Sequence, residues 1–513
     1  DIQPGFEYEV RGIMLDGSRE LPAVRLNLRQ LKTGDWIRQY WGLDPFVEHG
    51  MYPEAMKAFH CLRKNRIHAT LIKETGWHQI DSHWHYVHAA GVISNCLDGE
   101  EIHGDLAGPK FARYTLPNRC SDPTQATAVM HSVLEIGKPC IAYPLVTMIW
   151  MPPLAELFYQ QNLPISFIPF LKGLTSCGKS SLAGLALSAF GNMDKHSFPA
   201  SFRDTVASTE KTFATLKDAL CVVDDFHPRS PSEQSAMNSF ADSIARMVAD
   251  GNVRNRYNQD SVRPQAVVLA TGETIPSIAA SGLSRYLFID CQAEDLDYVG
   301  KFSGVLQKTD LLREAMCDYL RWIAANWDRV HSMIGAALQK HFAFFSSLGE
   351  GRSVSAVAQM ACSMEVGLTF LYERGQFDES VMQEHLKQNR EVLADILLNN
   401  LRVQTAVSPA DNFLLGLQTA VNCGQAALVP IASKQFSPRA VGCYDDANIY
   451  LLPAKSYDLV NRFLSRRRRN SLLPEKDVWQ SLAVKNIISW DPARNRHTRQ
   501  KRIPGLHNKN VYV

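Results

Sequence analysis

The sequence predicts a multidomain α/β protein organised around a three-layer parallel sheet, and three observations carry that reading. Apolar, partly β-branched runs recur at residues 165–171, 219–225, 266–273 and 286–290, separated by helical stretches. That alternation builds a parallel sheet covered on both faces, with its site at the strands' C-terminal ends. A glycine-containing turn at 173–180 lies between the first run and a small, apolar helical stretch at 181–190. With 513 residues the chain exceeds one core, and about three domains are expected from length.

Composition is that of an ordinary globular protein, 45% apolar and 21% charged. The 11 cysteines include no CxxC pair, which disfavours a disulfide framework or zinc ribbon and fits reduced thiols in a cytoplasm. No basic leader with an apolar centre is read. The most apolar stretch, 140–171, is interrupted by Pro144, Pro152, Pro153 and Pro164 and carries Glu156, Gln160 and Gln161. It reads as core, so no membrane partner is expected. Net charge is +2, yet residues 455–513 hold 14 Lys or Arg against 4 Asp or Glu, leaving −8 on the rest. A basic end on an acidic body points to a polyanion partner.

Taken in order, residues 1–124 read as an α+β domain. Alternation at 8–14 and 23–28 suits strands, and 53–63 suits a short helix. Further strands are expected over 67–93. Their histidines, His78, His83, His85 and His88, lack a recognisable ligand spacing and read as structural or strand-surface groups rather than metal ligands. Residues 99–124, rich in Gly, Pro and polar groups, read as a linker. Residues 125–305 form the sheet domain. Helical periodicity over 309–421 (Leu320, Ile323, Trp327, Val330, Ile334) predicts a helical lid or bundle, 306–422. Residues 423–513 return to mixed structure: a strand near 448–453, helices over 456–467 and 474–484, and a terminal hairpin. Helices followed by a basic hairpin suggest a winged helix, with Arg466, Arg467, Arg468, Arg469, Arg494 and Arg496 as nucleic-acid contacts.

The chemistry concentrates in the middle. GLTSCGKS (Gly173, Leu174, Thr175, Ser176, Cys177, Gly178, Lys179, Ser180) matches the phosphate-binding pattern Gly-x-x-x-x-Gly-Lys-Ser/Thr, continuing into Ser181. A strand, glycine loop and helix start aim backbone N–H groups at a phosphate chain, so ATP is the expected ligand. Lys179 would reach its β- and γ-phosphates and Ser180 would ligate Mg²⁺. Residues 219–225 end in Asp224 and Asp225, the form of a second nucleotide element: Asp224 holds Mg²⁺ and Asp225 polarises the attacking water. Thr271, at the tip of a later strand, is placed to sense the γ-phosphate. Arg285 precedes the next strand, and 250–257 reads as a hairpin tip bearing Arg254 and Arg256.

Together GWH at 76–78, GLTSCGKS, VVDD, ADGNVRNR, TGE at 271–273 and SGLSR ending at Arg285 make the sequence resemble the ring-forming AAA+ helicases of phages, plasmids and mobile elements akin to the MCM replicative helicases. The likeness covers residues 70–295 well and the basic end loosely. It implies a P-loop NTPase core of AAA+ type and a homo-oligomeric, hexameric ring using ATP and Mg²⁺ on single-stranded or forked DNA. It also implies a replication role, with a replication or primase partner. By position, Arg285 becomes the finger completing a neighbour's site, while Arg254 and Arg256 fall on a DNA-touching hairpin. The second acid is Asp225 where many such motors carry Glu. An ATP-dependent helicase or translocase is the leading expectation, beside an ATPase that remodels or loads a protein partner and a nucleotide-gated DNA-binding protein.

Overall fold

Five parallel strands form the centre of the chain, in the spatial order Tyr286–Asp290, Ile168–Lys172, Val267–Gly272, Leu220–Phe226, Ala200–Ser201. The three central strands are nearly continuous apolar runs because helices cover both faces, leaving no solvent side to alternate toward. The computed structural model describes residues 7–14, 17, 19–42, 51, 53–54, 57, 69–95, 101–106, 108–251, 264–406, 409–433, 437–466, 475–485, 487–488, 499–502 and 508–511. Of the expected 53–63 helix only residues 53, 54 and 57 are described, all helical, and the 252–257 part of the hairpin tip lies outside the described residues.

The chain divides into two compact units, Asp1–Thr70 and Leu71–Val513. In the first, Glu7–Ile13 pairs antiparallel with Glu20–Asn27. Val24, Leu26, Trp36 and Ile37 form its small core. The division falls inside the expected domain 1–124. Residues 76–94 form an antiparallel sheet, Gly76–Ile80, His83–His88 and Gly91–Ser94, whose Trp77, Tyr86 and Ile93 belong to the same core as the parallel sheet.

That junction is built on the GWH stretch. Gly76 has φ 94°, and a Cβ there would sit 2.5 Å from the Lys217 carbonyl oxygen and 2.7 Å from Asp218 Oδ2, so only glycine fits. The Trp77 backbone N–H donates to Asp218 Oδ2 at 2.9 Å, and its indole N–H donates to the Pro153 carbonyl at 2.7 Å. Lys217, buried, donates to the Trp77 carbonyl and pairs with Asp218 at 2.9 Å and Glu156 at 3.2 Å. Each buried charge thus has its partners, the condition under which such a cluster is tolerated.

Of the strand histidines, His88 accepts backbone N–H bonds from Ala90 and Leu116 on Nδ1, at 3.2 and 3.3 Å. Burial lowers the pKa of both His78 and His88 to about 4. Residues 99–124 are not a linker either. Glu101–Gly104 is a strand, and Phe111, Tyr114 and Leu116 are buried in the main core. Gly and Pro content signalled irregular backbone there, but the aromatic anchors decide its burial.

Helices Thr309–Ala325, Trp327–Phe345, Arg352–Glu373 and Glu379–Ala406 complete the main core. Asn400 closes the sheet's edge, accepting from the Phe288 N–H at 2.8 Å and donating to its carbonyl at 2.9 Å. Arg352–Glu373 is long and apolar enough to cross a membrane by composition, but 83% of that window is buried inside the fold.

A separate core joins Phe413 and Leu417 of helix Pro409–Asn422 to Val441, Val460, Trp479 and Leu482. The last region's packing thus begins one helix before residue 423. It contains a small sheet, Ala427–Pro430, Ala440–Tyr444 and Ile449–Leu451, helices Pro453–Arg466 and Glu475–Val484, and the strand pair Arg499–Arg502 with Asn508–Val511.

Candidate functional site

The three central strands end side by side, with Leu171 beside Thr271, and Gly272 beside both Lys172 and Phe226. Their C-terminal ends present the loop 173–180, Asp224–Asp225 and Thr271–Glu273 along one edge. Gly173 N–H donates to the Gly272 carbonyl at 3.2 Å, tying the loop to the neighbouring strand. Gly178 has φ 93° and Ser176 φ 67°, the left-handed turns that fold the loop back into helix Lys179–Ser188. The first-turn N–H groups of that helix have no intrahelical acceptor and carry the positive end of its dipole.

Lys179, only 9% exposed, donates to the carbonyls of Gly173 at 2.8 Å and Leu174 at 2.7 Å, with Cys177 Sγ 3.7 Å away. The ammonium therefore rests inside the loop curve, on the loop's own carbonyls. Leu174 is exposed, and Ser181 lies on the loop helix one residue beyond Ser180.

Ser180 and Asp224 meet, Oγ to Oδ1 3.3 Å. Thr271 Oγ1 donates to the same Asp224 oxygen at 2.5 Å and accepts the Asp225 N–H at 3.2 Å. Thr271 is buried, so this bond orients Asp224 rather than presenting a free hydroxyl. Burial, aided by Asp225 alongside, raises the Asp224 carboxyl above the usual range. A half-buried acid beside a serine hydroxyl fits a divalent cation, which would offset that cost.

Asp225 has φ 68°, and its carboxylate pairs with Arg203, 2.5 Å off, which also pairs with Glu233 at 3.0 Å. Arg203 follows the edge strand Ala200–Ser201 and had no motif to mark it. Arg285 is 7% exposed and grips Asp250 through two 3.0 Å contacts, while also donating to the Ser281 carbonyl. The guanidinium thus points into its own subunit, against the end of helix Pro231–Asp250. Arg254 and Arg256 lie outside the described residues, as do Arg467, Arg468, Arg469, Arg494 and Arg496. Arg466 ends the Pro453–Arg466 helix.

Two groups the sequence reading left without a role stand at the same edge. Glu273 accepts from the Thr175 hydroxyl, and its other oxygen lies 2.7 Å from His227 Nδ1. Their signal was modest: Glu273 ends TGE, and His227 stands two residues after VVDD. Among the described residues, no group of three or more His, Cys, Asp or Glu is arranged to hold a metal ion.

No protein-family profile and no curated protein matches the chain. Among solved structures, the chain shares the fold of the SCCmec type IV Cch active helicase over almost its whole length. The TM-score is 0.67 at 13% identity, covering 98% of this chain and 93% of that one. Lesser likenesses are to JCV helicase with a bound inhibitor (TM-score 0.25, 16% identity, 42% of this chain and 63% of that one) and to the NrS-1 C-terminal region (TM-score 0.29, 9% identity, 89% and 98%). The chain is thus a mixed α/β protein with a central parallel sheet and the fold of a known helicase.

Proposed function

We propose that this protein is an ATP-dependent DNA helicase or translocase of AAA+ type, working as a homo-oligomeric ring in the replication of a mobile element. The observation that carries the reading is the convergence of Lys179, Ser180, Asp224 and Thr271 at the ends of adjacent parallel strands, beneath a glycine loop. The near-full-length likeness to the Cch active helicase supports it.

On this reading, residues 173–181 bind the triphosphate through loop and helix N–H groups, and Lys179 leaves the Gly173 and Leu174 carbonyls for the β- and γ-phosphates. Ser180 and Asp224 would hold Mg²⁺, which neutralises charge on the phosphates when bound. Thr271 fixes the Asp224 carboxylate. Asp225 polarises the attacking water once Arg203 releases it. Arg285 acts as the finger toward a neighbour's γ-phosphate, which requires it to leave Asp250. The basic end, a winged helix with Arg466–Arg469, Arg494 and Arg496, holds DNA phosphates, and Arg254 and Arg256 touch the translocating strand.

Strand displacement on a forked duplex, with Lys179→Ala as control, tests the proposal. ATP-dependent unwinding by the wild type alone is expected. ATP hydrolysis without unwinding would favour the partner-remodelling role. Arg285→Ala should bind ATP yet lose hydrolysis, and mixing it with Lys179→Ala should restore some activity. Mixtures that stay inert despite subunit exchange would count against action in trans.

A further inference from the structure

Glu273 is the carboxylate in hydrogen-bonding contact with the side chain at the crown of the phosphate loop. It accepts from the Thr175 hydroxyl, and its backbone N–H donates to the Phe226 carbonyl at 3.1 Å. His227, on the neighbouring strand end, meets its second oxygen at 2.7 Å. These contacts come from three separate stretches of chain: the loop, the end of the Leu220–Phe226 strand, and the end of the Val267–Gly272 strand. Glu273 and His227 are both partly exposed, so a ligand above the loop could reach them. Asp225 differs, its carboxylate drawn into the Arg203–Glu233 network.

We propose that Glu273, oriented by His227, is a second catalytic carboxylate of this site and takes the proton of the attacking water that Asp225 polarises. The proposal rests on the nucleotide reading above. In the step, the water oxygen bonds to the γ-phosphorus, and the bond from that phosphorus to the β–γ bridging oxygen breaks, its electron pair leaving with ADP. Glu273 takes the water proton and returns it to the released phosphate. Thr175 donates to Glu273 before nucleotide arrives and would give up that bond as the γ-phosphate enters. The His227 ring then keeps the carboxylate from swinging away. A positioned general base contributes roughly 10² to 10⁴ in rate.

The test measures DNA-stimulated ATP hydrolysis and equilibrium binding of a fluorescent ATP analogue for wild type, Lys179→Ala, Glu273→Gln and His227→Ala. Glu273→Gln keeps the side chain's shape and one acceptor. It should lower kcat about 100-fold or more while leaving KM and analogue affinity within about threefold. His227→Ala, acting only through orientation, should lower kcat by a smaller factor, about tenfold, again without weakening binding. Three outcomes overturn the proposal: Glu273→Gln turnover within about threefold of wild type, a rise in KM with kcat unchanged, or loss of analogue binding, since the last two would make Glu273 a loop support. If wild type itself hydrolyses no ATP above the Lys179→Ala background, the nucleotide reading fails with it. Normal wild-type hydrolysis beside an unimpaired Glu273→Gln would sink the Glu273 role alone.

Discussion

The glycine loop at 173–180 and the GWH turn at 76–78 are both short glycine-bearing motifs with a left-handed glycine, yet their polar groups meet opposite fates. In GWH the Trp77 N–H, carbonyl and indole N–H are all consumed inside the protein, by Asp218, Lys217 and Pro153. Gly76 is closed in by backbone on its open side. In the loop, Lys179 rests on carbonyls it can leave, and the following helix opens its N–H groups toward the strand ends. The difference teaches how to separate a joint from a site. Internally satisfied donors hold a fold together, whereas backbone N–H groups left without an acceptor at a helix start await a ligand.

The comparison predicts a double dissociation. Lys179→Ala should reduce ATP hydrolysis to background while lowering stability by only about 1 kcal/mol, the net worth of the loop hydrogen bonds its ammonium makes. A midpoint that falls substantially would make Lys179 structural. Trp77→Ala should do the reverse. Removing a fully buried Trp that meets Tyr86 and Trp327 edge-on, each at 5.2 Å, should cost about 3–5 kcal/mol of stability. Nucleotide affinity per folded molecule should stay as in wild type, and a selective loss of affinity would give GWH a ligand role.

Within the site the expected effect of Asp225→Asn is smaller. It should lower turnover about 100-fold, near 2.7 kcal/mol, with analogue binding intact. Wild-type turnover in that variant would leave water activation to other groups.

The smallest effect sharpens the structural side. His78 and His88 have folded pKa values near 4, below the ordinary 6.5, because burial disfavours their charged forms. The native state therefore binds fewer protons than the unfolded chain between those values. Stability is held above pH 6.5 and falls as pH drops toward 4, by up to about 1.4 kcal/mol per unit for each histidine. His88→Asn, whose side-chain oxygen can accept the Ala90 and Leu116 N–H groups, should flatten the decline in urea midpoint between pH 7 and 5. An unchanged slope would remove His88 as a source of that dependence.

What the sequence by itself determined was local. The loop needs a contiguous Gly-x-x-x-x-Gly-Lys-Ser backbone between a strand and a helix, so its place was legible from spacing, and Ser180 and Asp224 were each read as Mg²⁺ ligands. The apolar runs marked all four long strands, because burial on both faces leaves no polar alternation. Tertiary structure alone decided which polar groups meet across the chain. Asp218 lies 141 residues from Trp77, Asp250 lies 35 from Arg285, and Glu273 lies 98 from Thr175. No periodicity encodes such pairs, since they follow from strand order. Setting Val267–Gly272 between the loop strand and the Asp224 strand brings Thr271 to Asp224 and Glu273 to the loop. The same folding pairs Asp225 with Arg203 at the half-exposed end of its strand and turns the buried Arg285 to Asp250, because a buried charge is stable only beside its opposite.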